Sequence, residues 1–267
     1  MTPVSIKQGT GPIVLGLPHT GTFVPDDIAA TLNQNGRKLA DTDWHIDRLY
    51  DGLLTSATTV RANFHRYVID ANRDPEGGSL YPGQNTTGLI PLTDFDGLNI
   101  WDTPPTAHDI KARRLEFHAP YHDALLTELN RVREIHGVAI LYDCHSIRSN
   151  IPFLFDGTLP DFNIGTNNGT TCAPIIESVV ESACADADAF YSSVTNGRFK
   201  GGWTTRHYGQ PHKGIHAIQM ELAQSTYLTA EEPPWVYHEE KASELRDRIA
   251  HILSAIERVA PSLREKT

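Results

Sequence analysis

Two histidines in this chain each follow a short apolar run. Pro12-Ile13-Val14-Leu15-Gly16-Leu17 leads into Pro18-His19-Thr20-Gly21, and Val138-Ala139-Ile140-Leu141-Tyr142 leads into Asp143-Cys144-His145-Ser146. Unbroken apolar runs of this kind are the pattern of strands buried on both faces. A single histidine beside a strand end is more often an ordinary hydrogen-bonded residue; two of them, each among turn-forming residues, point to a metal. Neutral imidazole and carboxylate oxygen are the ligands a catalytic zinc takes while keeping a position open for water. Asp43, in Asp41-Thr42-Asp43-Trp44-His45-Ile46-Asp47, heads a helical pattern and is the candidate third ligand, with Asp47 one turn further as the reserve.

Glu221 lies in the apolar run Gly214-Ile215-His216-Ala217-Ile218-Gln219-Met220-Glu221-Leu222. A carboxylate there must be paired, metal-associated or raised in pKa, because burying a bare charge is costly. Those are the conditions of a general base that deprotonates an attacking water; a structural ion pair with an arginine is the plainer alternative. Arginines gather around the same motifs. Arg66 and Arg73 bracket Tyr67-Val68-Ile69-Asp70-Ala71-Asn72, Arg148 follows His145 by three residues, and Arg206 sits in Thr204-Thr205-Arg206-His207-Tyr208-Gly209. Guanidinium groups bind carboxylates in bidentate fashion and stabilise oxyanions. Together they suggest an anionic substrate.

The elements that must position these residues alternate. Strands are expected at 12–17, 58–62, 66–70, 138–142, 190–194 and 214–222. Helices are expected at 43–55, with Asp41 or Thr42 as N-cap, and at 107–135, 173–186 and 238–259. The long helix carries Leu115, Tyr121, Leu125, Leu129 and Val132 at helical spacing, and the last one Leu245, Ile249, Ile252, Ile256 and Val259. This alternation implies a three-layer α/β/α domain with a mostly parallel sheet, read as a single catalytic domain over 1–267. Residues 74–106 are rich in Gly, Pro, Thr and Asp, and a loop of that length is usually functional; 79–103 is the expected lid. Ligand sites in open α/β sheets lie at the carboxyl ends of the strands. If the strands are parallel, His19, His145 and Glu221 arrive at one edge.

Bulk properties narrow the partners. The formal net charge is −10 with no basic run, which argues against nucleic acid or an anionic membrane surface and requires any anionic substrate to find arginines gathered locally. No stretch approaches the roughly 18 apolar residues that span a membrane. The N-terminal residues lack a signal-peptide pattern, and Cys144, Cys172 and Cys184 form neither a disulfide framework nor a metal motif. The expectation is a cytoplasmic protein. The Asn-x-Thr matches at Asn85 and Asn168 are then chance, and oligomeric state is not readable.

Seven blocks of the chain resemble the N-formylglutamate amidohydrolase (N-formylglutamate deformylase) family in family order. They are Pro18–Gly21, Thr42–Tyr50, Arg66–Pro75, Tyr81–Leu89, Tyr142–Ser149, Gly201–Gly209 and Gln219–Leu222. The resemblance implies the phosphorylase/hydrolase-like fold of zinc carboxypeptidases and aspartoacylase-like deacylases. It also implies one divalent metal, favoured as Zn2+, and hydrolysis of N-formyl-L-glutamate to formate and L-glutamate, the last step of a histidine degradation route. Another N-acyl-amino-acid deacylase or a metallocarboxypeptidase on this scaffold is the alternative. Carried over, His19 and His145 are metal ligands, Glu221 the base, Arg66 or Arg73 the oxyanion partner, and Asn72 with Arg148, Arg206, His207 and Thr204 the substrate contacts. Thr22 stands where those relatives have a ligand glutamate, and Asp43 is the proposed replacement. A cysteine or serine hydrolase built on Cys144 or Ser146 is disfavoured, because neighbours in an extended run face opposite ways.

Overall fold

A computed structural model describes residues 2–78, 83, 85–185 and 190–264. Seven strands form one mixed sheet: β1 (Val4–Lys7), β2 (Ile13–Leu17), β3 (Thr58–Ala62), β4 (Ala139–Ile147), β5 (Phe162–Gly165), β6 (Ser193–Thr195) and β7 (Ile215–Ala223). The order across the sheet is β1-β3-β2-β4-β7-β5-β6. The four central strands, β3, β2, β4 and β7, run parallel, while β1 and the β5–β6 pair are antiparallel to them. This is the mixed, mostly parallel α/β sheet expected from the strand and helix patterns.

Every residue of β2, β4 and β7 is buried, and the period of two divides their side chains between two cores. Ile13, Leu15, Leu17, Ile140, Tyr142, Cys144, Ile218 and Met220 face one way. They pack with helices α5 (Pro174–Ala185) and α7 (Glu239–Val259). Val14, Leu141 and Ala217 face the other way, against Tyr121, Leu125, Leu129 and Val132 of α4 (Ala119–His136). The long helix begins as α3 (Ala107–Arg113), on a capping box in which Thr106 and Asp109 satisfy each other's backbone N–H. Five residues of π-helix, Arg114–His118, join α3 to α4. Gly137 ends α4 with a φ of 72°, the left-handed conformation glycine adopts without a Cβ clash. Among the described residues no helix is long and apolar enough to cross a membrane.

Several local expectations are corrected. The segment expected as a helix over 43–55 contains only a short helix, Ile46–Tyr50; His45, at φ 60°, precedes it, and neither Asp41 nor Thr42 caps it. The Asp41 carboxylate instead accepts the Phe95 N–H. Residues 66–70 form a turn rather than a strand, closed by the Arg66 guanidinium reaching Asp70 four residues on at 2.9 Å. Leu115, counted in the apolar stripe, is 66% exposed, because the π-helical turn shifts the phase of the stripe there. The strand expected at 138–142 continues to Ile147, so His145 lies within it. Within the expected lid, residues 79–82 and 84 lie outside the described residues. From Leu89 onward the loop is packed down: Leu89, Ile90, Phe95, Ile100 and Trp101 are all buried, and Trp101 Nε1 donates to Pro91 O at 2.7 Å.

Replacing a fully buried leucine of α4 removes transfer energy and opens a cavity, whereas the exposed leucine of the π-helical turn contributes little. Leu129→Ala is expected to destabilise by about 2–5 kcal/mol and Leu115→Ala by no more than about 0.5 kcal/mol, read from urea denaturation midpoints. Equal losses would contradict the packing described.

Candidate metal and active site

The parallel strands deliver three side chains to one sheet edge. His19 follows β2 by two residues, His145 lies in β4, and Glu221 in β7 is the direct register partner of His145. Asp43 is brought to them by the turn before α2 (Ile46–Tyr50), where the Asp43 N–H donates to His19 O at 3.1 Å. Its carboxylate then accepts the β4 backbone N–H of Ser146 at 3.1 Å. Asp43 Oδ2 stands 3.8 Å from His19 Nδ1 and 3.2 Å from His145 Nδ1. One ligand atom from each of the three residues falls within 4.8 Å of the others, and all three residues are buried. Asp47, the reserve candidate, pairs instead with Arg61 at 2.6 Å.

This cluster fits a divalent cation. His19 Nδ1 is buried with no hydrogen-bond partner, an arrangement that native interiors rarely leave uncompensated. Burial alone would raise the Asp43 carboxyl, but His19 and His145 outweigh it and hold the group well below its ordinary value. The donors are two imidazoles and one carboxylate, the set that catalytic zinc centres use.

A second layer of acids orients the rings. His19 Nε2 meets Asp70 Oδ1 at 2.7 Å. Asp70 also takes the Arg66 guanidinium, and burial notwithstanding, Arg66, His19 and Arg73 keep its carboxyl well below the usual range. Asp143 Oδ1 lies 3.2 Å from His145 Nε2, and its other oxygen accepts Thr205 Oγ1 at 2.9 Å. Asn72 Nδ2 is 3.1 Å from the same imidazole nitrogen, while Asn72 Oδ1 accepts the Thr204 N–H. The carboxylate is the stronger partner for a ring N–H, being charge-assisted. Burial would lower the His145 pKa, but Asp143 and Asp43 raise it well above its ordinary value. A carboxylate behind each imidazole fixes ring orientation and leaves the other nitrogen toward the metal position.

Glu221 is 7% exposed and receives Gln219 Nε2 at 3.2 Å. Burial, with Asp43 and Asp143 adding to it, pushes its carboxyl up to about 8 against the opposing pull of His145 and Arg66. A carboxyl near that value can both accept and return a proton around neutrality. His19, Asp43, His145, Glu221, Arg66, Asn72 and Arg73 line one cleft.

The other sequence candidates are distributed differently. Arg148 is not in the cleft lining; it pairs with Asp96 at 2.8 Å. Arg206 also lies off the lining, with Nε donating to Gly201 O at 2.8 Å, and His207 stacks on Trp203. Thr204 contributes its backbone N–H to Asn72 rather than a side chain to the cleft. Asn72 is itself drawn into holding His145, and Gly202 packs so closely on it that an added Cβ would stand 2.2 Å from Asn72 Nδ2. Sequence reasoning missed Asp70, Asp143, Gln219 and Arg198 as site residues. For Asp143 and Gln219 the signal was present: each is two residues from a singled-out residue on the same strand; Asp70 sits two residues before Asn72 in a turn that the sequence pattern read as a strand. Arg198 carried none. Cys144 is fully buried in the core on the far face of β4, with its thiol raised well above the ordinary value by burial, so it takes no part.

The family model for N-formylglutamate amidohydrolase matches residues 11–228. The chain is 45% identical over 256 residues to an N-formylglutamate deformylase of Pseudomonas putida, and 44% identical over 256 residues to one of Pseudomonas aeruginosa. In each case 95% of both chains is covered. It superimposes on the crystal structure of N-formylglutamate amidohydrolase from Ralstonia eutropha JMP134 with a TM-score of 0.79, at 26% identity and 99% coverage of both chains.

A divalent cation added to chelator-treated protein at about 100 times its dissociation constant is expected to stabilise the fold by about 2.7 kcal/mol, seen as a rise in melting temperature. Asp43→Ala and His19→Ala are each expected to abolish that rise. A rise that survives both substitutions would place the metal elsewhere.

Proposed function

The chain belongs to the N-formylglutamate amidohydrolase family, and from that premise we propose that it hydrolyses N-formyl-L-glutamate to formate and L-glutamate, with Zn2+ held by His19, Asp43 and His145. The observation that carries the reading is the convergence of two imidazoles and a carboxylate with a raised carboxyl, Glu221, on the neighbouring strand. A zinc ion held there supplies a Lewis acid for the formyl carbonyl and lowers the pKa of water.

The chain's own residues do the rest. Glu221 removes the proton from the attacking water and returns it to the leaving nitrogen. Arg66 lies 3.8 Å from Asp43 and is locked by Asp70, so its charge stands beside the carbonyl oxygen as that oxygen becomes negative. Arg73 lines the cleft with Nε and Nη2 held by Thr87 and takes the carboxylate next to the scissile amide. Asn72 keeps His145 in register. The whole chain acts as one catalytic domain, since the central strands are shared by both cores. Three buried thiols suit a cytoplasmic setting.

The test is formate release from N-formyl-L-glutamate by zinc-restored protein, with N-acetyl-L-glutamate as control. Glu221→Gln is expected to lower kcat by roughly 10²- to 10⁴-fold while the zinc-induced rise in melting temperature remains. Failure of the wild-type protein to release formate with any divalent metal would overturn the assignment, and preferred turnover of the acetyl compound would turn it toward a general N-acyl-amino-acid deacylase.

A further inference from the structure

The segment 66–73 carries a partner for each metal-site imidazole. Asp70 Oδ1 stands 2.7 Å from His19 Nε2, and Asn72 Nδ2 stands 3.1 Å from His145 Nε2. The segment itself lies in no helix or strand, so its backbone carbonyls need partners from other parts of the chain. Three of them find those partners on one continuous helix, α3 through α4. Arg113 Nη1 donates to Val68 O at 3.2 Å, His122 Nε2 lies 2.8 Å from Ala71 O, and His118 Nε2 lies 3.1 Å from Arg73 O. The last two carbonyls flank Asn72. Neither His118 nor His122 lines the cleft.

The π-helical turn makes these three contacts possible. Its hydrogen bonds join residues five apart, so over Arg114–His118 it brings Arg113 and His118 onto one face. His122 follows one α-helical turn later on that face, and all three residues are buried. A carbonyl only accepts, so each imidazole presents a ring N–H to it. The other nitrogen of His122 then accepts the Tyr208 hydroxyl at 3.0 Å, which uses both ring nitrogens and fixes the ring. Burial, with His118 and His207 adding to it against the pull of the Ala71 carbonyl, pushes the His122 pKa down to about 3. The ring is therefore neutral, as this pattern of one donor and one acceptor requires. The same two rings pack on Trp203, His118 at 5.9 Å and His122 at 4.9 Å between centroids. Trp203 is the first residue of α6 (Trp203–Tyr208), and the next residue, Thr204, donates its N–H to Asn72 Oδ1 at 2.9 Å. The histidines thus hold Asn72 through its own backbone and through the helix that grips its side chain.

Resting on the metal-site reading above, we propose that His118 and His122 are positioning residues of the metal centre. By holding the carbonyls of Ala71 and Arg73 they set the segment that orients the His19 and His145 rings, and through it metal affinity and turnover. Outer partners of metal ligands act in this way, by fixing ring orientation.

The experiment measures the zinc dissociation constant by chelator competition, and formate release from N-formyl-L-glutamate, for His118→Leu, His122→Leu, His118→Gln and His122→Gln. Each leucine variant is expected to bind zinc about 10-fold more weakly and to lose about 10-fold in kcat, with KM little changed. Each glutamine variant, which keeps a side-chain N–H donor, recovers most of both. Leu129→Ala, which destabilises the same helix away from these contacts, keeps the wild-type zinc constant and kcat. Tyr208→Phe frees the His122 ring while leaving the imidazole in place; it shows the same losses in weaker form and decides the matter if the leucine variants do not fold. Zinc affinity unchanged in the leucine variants, no recovery with glutamine, or an equal loss in Leu129→Ala overturns the proposal. Wild-type protein that binds zinc but releases no formate overturns the deformylase reading alone, since the zinc constants still test the positioning role. Wild-type protein that binds no zinc overturns both.

Discussion

The site is organised around the buried carboxylate of Asp43. It meets the Nδ1 atoms of two imidazoles and the backbone N–H of Ser146, with 1% of its surface exposed. A carboxylate cannot remain ionised in such a position without compensating charge, and the compensation is what ties separate parts of the chain together. The loop after β2 brings His19, the centre of the sheet brings His145, and the turn at 41–45 brings Asp43 itself. The short helix that follows and the left-handed His45 are consequences of this, since the backbone must turn Asp43 inward rather than continue as a helical first turn.

Charge alternates outward from that centre. Behind His19 stands Asp70, behind Asp70 stands Arg66, and behind His145 stands Asp143, held by Thr205. Each member is buried and each has a partner of opposite sign or a hydrogen bond. Burial strengthens the electrostatic interactions inside the cluster, and burial is also why Glu221 on the adjacent strand is lifted toward neutrality. The parallel arrangement of β2, β4 and β7 makes this possible, because strands running the same way end at the same edge.

The arginines divide by the same physics. Arg66, near the centre, is paired with buried acids, while Arg73 and Arg198 on the cleft wall are also held by carbonyl and hydroxyl oxygens.

Much of this was legible in the sequence, for a physical reason. A strand buried on both faces is largely apolar, so β2, the first half of β4 and much of β7 stand out as apolar runs, and the polar residues that interrupt or follow them, His19, His145 and Glu221, are conspicuous. The long helices announce themselves by their stripes for the same reason. Local pattern could not say how far β4 continues, because Asp143, His145 and Ser146 break its apolar run and are buried only through their partners in space. It could not say that Asp43 rather than Asp47 turns inward, since both suit the start of a helix, nor that residues 66–70 close into a turn around an Arg66–Asp70 pair. Nor could it separate Arg198 from Arg148, Arg206 and His207. An arginine beside a motif and an arginine fifty residues from it look alike in sequence, and only the folding of the chain decides which of them the cleft contains.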